Sequence, residues 1–110
     1  METYYNPQDL GKFADLGEDA PELWEAFSAY YGKALAAGAL SAREKALIAF
    51  AVAHVLQCPY CIDSYTQALL ENGVNEEQML EAVHVAAAVR CGATLAHGLQ
   101  AKNVVRRLEL

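Results

Sequence analysis

Ser41-Ala42-Arg43-Glu44-Lys45-Ala46-Leu47-Ile48-Ala49-Phe50-Ala51-Val52-Ala53-His54-Val55-Leu56-Gln57-Cys58-Pro59-Tyr60-Cys61 decides how this chain folds. Ser41 and Glu44 match the S-x-x-E capping box, in which side chain and backbone satisfy each other's unpaired groups at a helix start. Leu47, Ile48, Phe50, Ala51, Val52 and Val55 then make the segment apolar nearly all round, which predicts a buried central helix. The Cys58-Pro59-Tyr60-Cys61 turn follows, with Pro59 suited to the first turn of a further helix. Cys-Pro-Tyr-Cys also occurs in the active-site turn of glutaredoxins, but a thioredoxin-like fold needs a strand before the cysteines and a proline loop after them. Here a helix precedes the pair, and Pro7, Pro21 and Pro59 all lie at or before it. The fold class is therefore all-α.

The rest of the chain is punctuated as helices. Asn6-Pro7-Gln8-Asp9 reads as a cap with proline at the first helical position, opening a short helix to about Leu16 that Gly17 ends. Asp19-Ala20-Pro21-Glu22 starts a second helix with an acidic cap, and Gly38 closes it. The motif helix runs from about Pro59 to Glu71, with Asn72-Gly73 as its stop. Asn75-Glu76-Glu77-Gln78 is another cap and box, followed by apolar positions at helical spacing. Gly92 is expected to break or bend the chain before a last helix from about Ala93 to Arg107. The total is about six helices in a single domain covering residues 1–110.

Composition narrows the function. The net charge is −6, and no basic run offers a nucleic-acid footprint. Met1-Glu2-Thr3-Tyr4-Tyr5 lacks the charged and apolar regions of a secretory leader. The longest apolar stretch, Ala46 to Leu56, is shorter than the roughly 18 residues of a membrane span. Three cysteines, two of them in one C-x-x-C, do not make a secreted disulfide framework. These features predict a cytoplasmic protein without a membrane partner. With 55% hydrophobic residues in so short a chain, much apolar surface is left for oligomerisation to cover.

Cys58 and Cys61 stand one helical turn apart, so they can close and reopen a disulfide. A helix N-terminus favours the thiolate and lowers a cysteine pKa below about 8.5. The leading expectation is a thiol redox site, beside two plainer ones: a metal clip or a buried apolar pair. Zinc wants four ligands, and Cys91, His54, His84 and His97 are not spaced to complete a set. A soft metalloid such as trivalent arsenic would take Cys58, Cys61 and Cys91 together if the fold joined them. Taken alone, Cys91 reads as a small core residue. No cofactor is expected.

From Leu40 to about His97 the chain resembles the carboxymuconolactone decarboxylase and alkylhydroperoxidase-D-like family. The resemblance rests on the apolar helix, Cys58-Pro59-Tyr60-Cys61-Ile62-Asp63-Ser64-Tyr65, Ala68-Leu69, Gly73 and the acidic start at Glu76-Glu77. It covers about half the chain and is also similar to a small peroxidase-like subgroup associated with arsenosugar biosynthesis. The resemblance implies an alkylhydroperoxidase-D-like helical bundle, assembled as a trimer or hexamer. It further implies a disulfide-cycling peroxidase in which Cys61 attacks the O–O bond, Cys58 resolves the sulfenic acid and a dithiol protein reduces the pair. The other functions left open are a thiol module for a soft metalloid or metal and a decarboxylase of small acidic metabolites.

The chain departs from the peroxidase pattern at two positions. A histidine four residues after the second cysteine is here Tyr65, and a glutamate twelve residues before the first is here Ala46. That Glu–His pair shuttles protons in peroxidase members. Tyr65 lies one turn from Cys61 and reads either as a hydroxyl donor at the site or as a half-buried packing residue. A phenol with pKa near 10 is a poor base at neutral pH. His54, four residues before Cys58, is a candidate to lower a thiol pKa or act as base, against the plainer reading of a core histidine. His84 and His97 qualify only if the fold packs them against the motif. Glu44 is explained by its capping box, Asp63 by solvation. Trp24, Tyr30 and Tyr31 form an aromatic stripe expected to pack in the core or an interface, with a substrate wall as the minor alternative.

Overall fold

The computed structural model describes residues 5–109, and they form five helical elements without a strand. The stretch read for a leader, Met1 to Tyr4, lies outside the described residues. Pro7–Glu18 is a 3-10 segment, followed by α1 (Pro21–Leu35), α2 (Ala42–Leu56), α3 (Pro59–Glu71) and α4 (Glu76–Leu108). The expected all-α class is what the chain adopts.

Helix α2 is the hub: α1, α3 and α4 all pack against it, and the 3-10 segment bridges α1 and α3. Its capping box forms as expected. The Ser41 hydroxyl accepts from the Glu44 N–H at 3.0 Å, and Glu44 accepts from the Ser41 N–H at 2.8 Å. The core is small. Phe50 of α2, Leu69 of α3, Val74 of the α3–α4 turn and Met79 of α4 form one buried cluster. Gly73, at φ 76°, makes the turn that delivers Val74 into it, a conformation an L side chain resists. Ile48, Val52 and Leu56 of α2 are exposed, so the central helix is buried only on the faces that meet α3 and α4.

Four boundaries differ from the sequence reading. Gly38 does not close α1, which ends at Leu35 with Ala36 as its C-cap. Gly92 neither breaks nor bends the chain, and α4 runs unbroken for 33 residues. A glycine inside a helix costs only about 1 kcal/mol relative to alanine, which the capped start of α4 and its flanking alanines outweigh. The acidic cap at Asp19 does not form: Ala20 is the N-cap of α1 and makes no side-chain cap bond. Gly17 does not end the first helix but lies within the 3-10 segment, against the Trp24 ring.

Beyond Ala86 every described residue of α4 is exposed, including Val89, Leu95, Leu99 and Leu108. The Arg90 guanidinium donates to the Val55 carbonyl at 2.8 Å and clips α4 to the end of α2. By length and composition, α4 is long and apolar enough to cross a membrane, although its charged residues leave no unbroken apolar run of that length.

A Cβ at Gly17 would stand 2.7 Å from Trp24 Cγ. Gly17→Ala therefore forces the indole away from the 3-10 segment. We expect a stability loss of about 1–3 kcal/mol, the range for overpacking, read as a lower thermal midpoint and an altered Trp24 fluorescence.

Candidate thiol site

The site begins where α2 stops. Gln57 takes the left-handed conformation at φ 57°, the one non-glycine residue to do so among the described residues, and the chain turns sharply out of α2. Cys58 is then the N-cap of α3 and Pro59 its first residue. Proline fits there because the N–H it lacks has no helical partner anyway. Cys58 takes the place usually filled by serine or aspartate, and its sulfur accepts the Cys61 N–H at 3.3 Å. Both cysteines are half-buried, with the sulfurs 2.6 Å apart.

This placement splits two chemically identical groups. The Cys58 thiol is held below its ordinary value, first by the hydrogen bond with the Cys61 thiol, then by the backbone N–H groups of Cys61 and Tyr60. Cys61 is pushed up to about 11, first by burial, then by its hydrogen bond and charge repulsion with Cys58. The two thiols titrate as a coupled pair, and the opposite directions of their shifts favour Cys58 over Cys61 as the one that ionises first.

Above the sulfurs lies a cavity of about 630 Å³ with an almost wholly apolar wall. The 3-10 segment roofs it with Leu10, Phe13 and Leu16, and Tyr31 and Tyr65 close its sides. The roof is tied to the motif helix by hydroxyls. Tyr60, inside the C-x-x-C, donates to Asp9 at 3.2 Å, and Tyr5 donates to Asp63 at 2.7 Å. Asp63 also accepts from Gln67, and these two bonds, Tyr5 first, hold its carboxyl below the usual range. Asp63 is thus a tether for the N-terminal segment rather than a solvated charge. No local pattern signals that partner, because Tyr5 lies 58 residues away.

The predicted site residues divide. Tyr65 lines the thiol cavity, and burial raises its phenol above the ordinary value. Its hydroxyl contacts that of Tyr31 of α1, a partner read from sequence as packing. His54 lies elsewhere. Its Nδ1–H donates to the Phe50 carbonyl at 2.7 Å, and it lines a separate cavity with Tyr5, Gln57, Pro59, Ile62 and Asp63. The left-handed turn at Gln57 breaks the helical register that would have set His54 one turn from Cys58. His84 and His97 are exposed on α4, whose main packing partner is α2, and neither lines the thiol cavity. Cys91 is exposed on the same helix, not in the core as expected, and the three sulfurs are not gathered within one chain. Among the described residues no three His, Cys, Asp or Glu side chains form a metal-holding group. Of the aromatic stripe, Trp24 packs on Phe13 and Phe27, whereas Tyr30 is 75% exposed.

The charge asymmetry predicts the order of alkylation. With iodoacetamide, Cys58 should react first and gain rate at a lower pH than a free thiol does. Cys61 should lag behind it while Cys58 is unmodified, and gain reactivity once Cys58 is blocked and only burial still raises its thiol. Peptide mapping across a pH series checks both.

Comparisons with known proteins agree with this architecture. The sequence model of the Carboxymuconolactone decarboxylase family matches residues 21–102. A Paracoccus denitrificans protein, described as uncharacterized protein 4 in the cox locus, is 44% identical over 99 residues, covering 87% of this chain and 89% of its own. A carboxymuconolactone decarboxylase family protein from Legionella pneumophila, solved in its apo form, is similar in structure. Its TM-score is 0.69 at 30% identity, over 94% of each chain.

Proposed function

Because this chain belongs to the carboxymuconolactone decarboxylase family, which includes decarboxylases and peroxidase-like members, we propose that it is a thiol oxidoreductase of the peroxidase-like kind. The observation that carries this reading is the placing of Cys58 and Cys61, their sulfurs 2.6 Å apart and their pKa values shifted in opposite directions, in the lining of an apolar cavity. A decarboxylase of small acidic metabolites needs cations to hold carboxylates. Lys12 is the one Lys or Arg lining the cavity, and the walls are otherwise apolar and aromatic.

The steps follow from the charge. The Cys58 thiolate attacks the terminal oxygen of a hydroperoxide: an S–O bond forms, the O–O bond breaks, and sulfur loses two electrons to the peroxide. The leaving oxygen takes a proton and departs as an alcohol. Cys61 then attacks the Cys58 sulfenic acid, water leaves and the disulfide closes. This resolving step benefits from the first. Once Cys58 is no longer a thiolate, the repulsion and hydrogen bond that raised Cys61 disappear. An external dithiol returns the pair by exchange. The order is the reverse of the one the resemblance implies, because the Glu and His positions that would activate the second cysteine are Ala46 and Tyr65. The apolar cavity, within the size range of pockets for small organic ligands, favours an organic hydroperoxide as substrate.

We also propose a homo-oligomer, trimer or hexamer, in the cytoplasm. The Cα radius of gyration is 18.7 Å, against roughly 13 Å for a compact domain of this length. The distal half of α4 carries a row of exposed apolar side chains.

Two measurements test this reading. A stoichiometric pulse of cumene hydroperoxide should remove two free thiols per chain. In Cys61→Ser, dimedone should label Cys58 as a trapped sulfenic acid, whereas Cys58→Ser should react at least tenfold more slowly at neutral pH. Retention of both thiols after the pulse would refute the peroxidase reading, and faster labelling of Cys61 would restore the opposite order. Sedimentation equilibrium should give a mass of three or six chains of 11.9 kDa, and a monomer would refute the assembly.

A further inference from the structure

A hydroperoxide reduced at Cys58 leaves behind an alkoxide that needs a proton, and the usual imidazole donor is absent from this cavity. His54 faces another cavity, with its Nδ1–H held by the Phe50 carbonyl. His84 and His97 lie on α4, and neither lines the thiol cavity. The acidic and hydroxyl groups lining the thiol cavity, besides the thiols, are Asp9, Tyr31, Tyr60, Ser64 and Tyr65, with Lys12 as the cation. Asp9 accepts from Tyr60 in the tie that fastens the roof. Tyr65 is different. It stands one helical turn from Cys61, its phenol is kept protonated by burial, and its oxygen contacts the Tyr31 oxygen. Tyr31 is 40% exposed, so the phenol that touches Tyr65 is itself in contact with water.

We propose that Tyr65 and Tyr31 form the proton donor of this site, with Tyr65 as the catalytic acid and Tyr31 as the residue that positions and reloads it. This rests on the peroxidase-like reading above. When Tyr31 donates to the Tyr65 oxygen, the Tyr65 O–H is freed to point into the cavity. As the O–O bond breaks, the Tyr65 proton passes to the leaving alkoxide, which is the stronger base. The Tyr31 proton passes to Tyr65, and solvent restores Tyr31. No charge remains on the protein after the transfer, and the sulfur keeps the hydroxyl of its sulfenic acid. The arrangement couples α1 to α3, so a residue outside the motif and its helix sets the rate of motif chemistry.

The experiment exploits the leaving group. Cumene hydroperoxide releases an alkoxide that must be protonated, whereas peracetic acid releases a carboxylate, a weak base with a pKa of about 4. Single-turnover thiol oxidation is measured with each at neutral pH for the wild type, Tyr65→Phe and Tyr31→Phe. General acid catalysis contributes about 10²–10⁴-fold. The ratio of the cumene hydroperoxide rate to the peracetic acid rate should therefore fall about a hundredfold in Tyr65→Phe, and about tenfold in Tyr31→Phe, which acts at one remove. An unchanged ratio in both variants overturns the tyrosine pair while leaving the thiol reading intact. Equal loss with both oxidants shows a structural role and also overturns it. If neither oxidant consumes the wild-type thiols, the tyrosine pair and the thiol reading fall together.

Discussion

The sulfur of Cys58 holds the capping position of α3, and the rest of the site is arranged around that one contact. A capping atom must accept an N–H, and the Cys61 N–H at 3.3 Å is the donor it meets. The same geometry sets the Cys61 sulfur 2.6 Å away, so the cap and the redox partner come from one residue. A serine at this position would cap the helix as well and carry no redox chemistry. Here the demand for a helix start and the demand for a stabilised thiolate are met by the same few atoms.

The two residues between the cysteines serve the same end. Pro59 fixes the first turn of α3 without leaving an unpaired N–H. Tyr60 turns its hydroxyl to Asp9 and ties the 3-10 roof to the motif. Tyr5 and Asp63 make a second tie on the same segment. The small core lies beneath this assembly, with Phe50, Leu69, Val74 and Met79 joining α2, α3 and α4. The motif is held by the part of the chain that is well packed, while the apolar arm of α4 extends away from it.

Local rules carried most of the fold. The Ser41–Glu44 box, the Asn75–Gln78 box and the Cys58-Pro59 start are all short-range patterns, and each sits where the sequence placed it. Gly92 misled because one glycine is a weak signal against 32 other residues in the same helix. At the site, Cys58, Cys61 and Tyr65 were legible, since one helix turn relates the last two. His54 was misplaced because the turn out of α2 needs a left-handed Gln57, and no residue-type rule marks a glutamine for that conformation. Tyr31 and Asp63 acquire their roles from contacts across 34 and 58 residues, which no local pattern encodes.

The loss of the Glu and His positions has a consequence that goes beyond a missing base. An imidazole can accept a thiol proton and later return it, so one residue serves both activation and leaving-group protonation. A phenol with a raised pKa can only donate under neutral conditions. With Tyr65 in the histidine position, the proposed thiol activation needs a different source; the Cys61 thiol supplies the largest part through its hydrogen bond with Cys58, and the backbone N–H groups at the start of α3 add to it. That source acts on the capping sulfur, Cys58, and not on Cys61, which is more buried and pushed up to about 11. In the proposed reading, a phenol in place of the imidazole and the lowered thiol of the first cysteine are therefore two sides of one arrangement: the Cys61 thiol and the helix end favour the thiolate at Cys58, and the tyrosines keep the single task a phenol performs well.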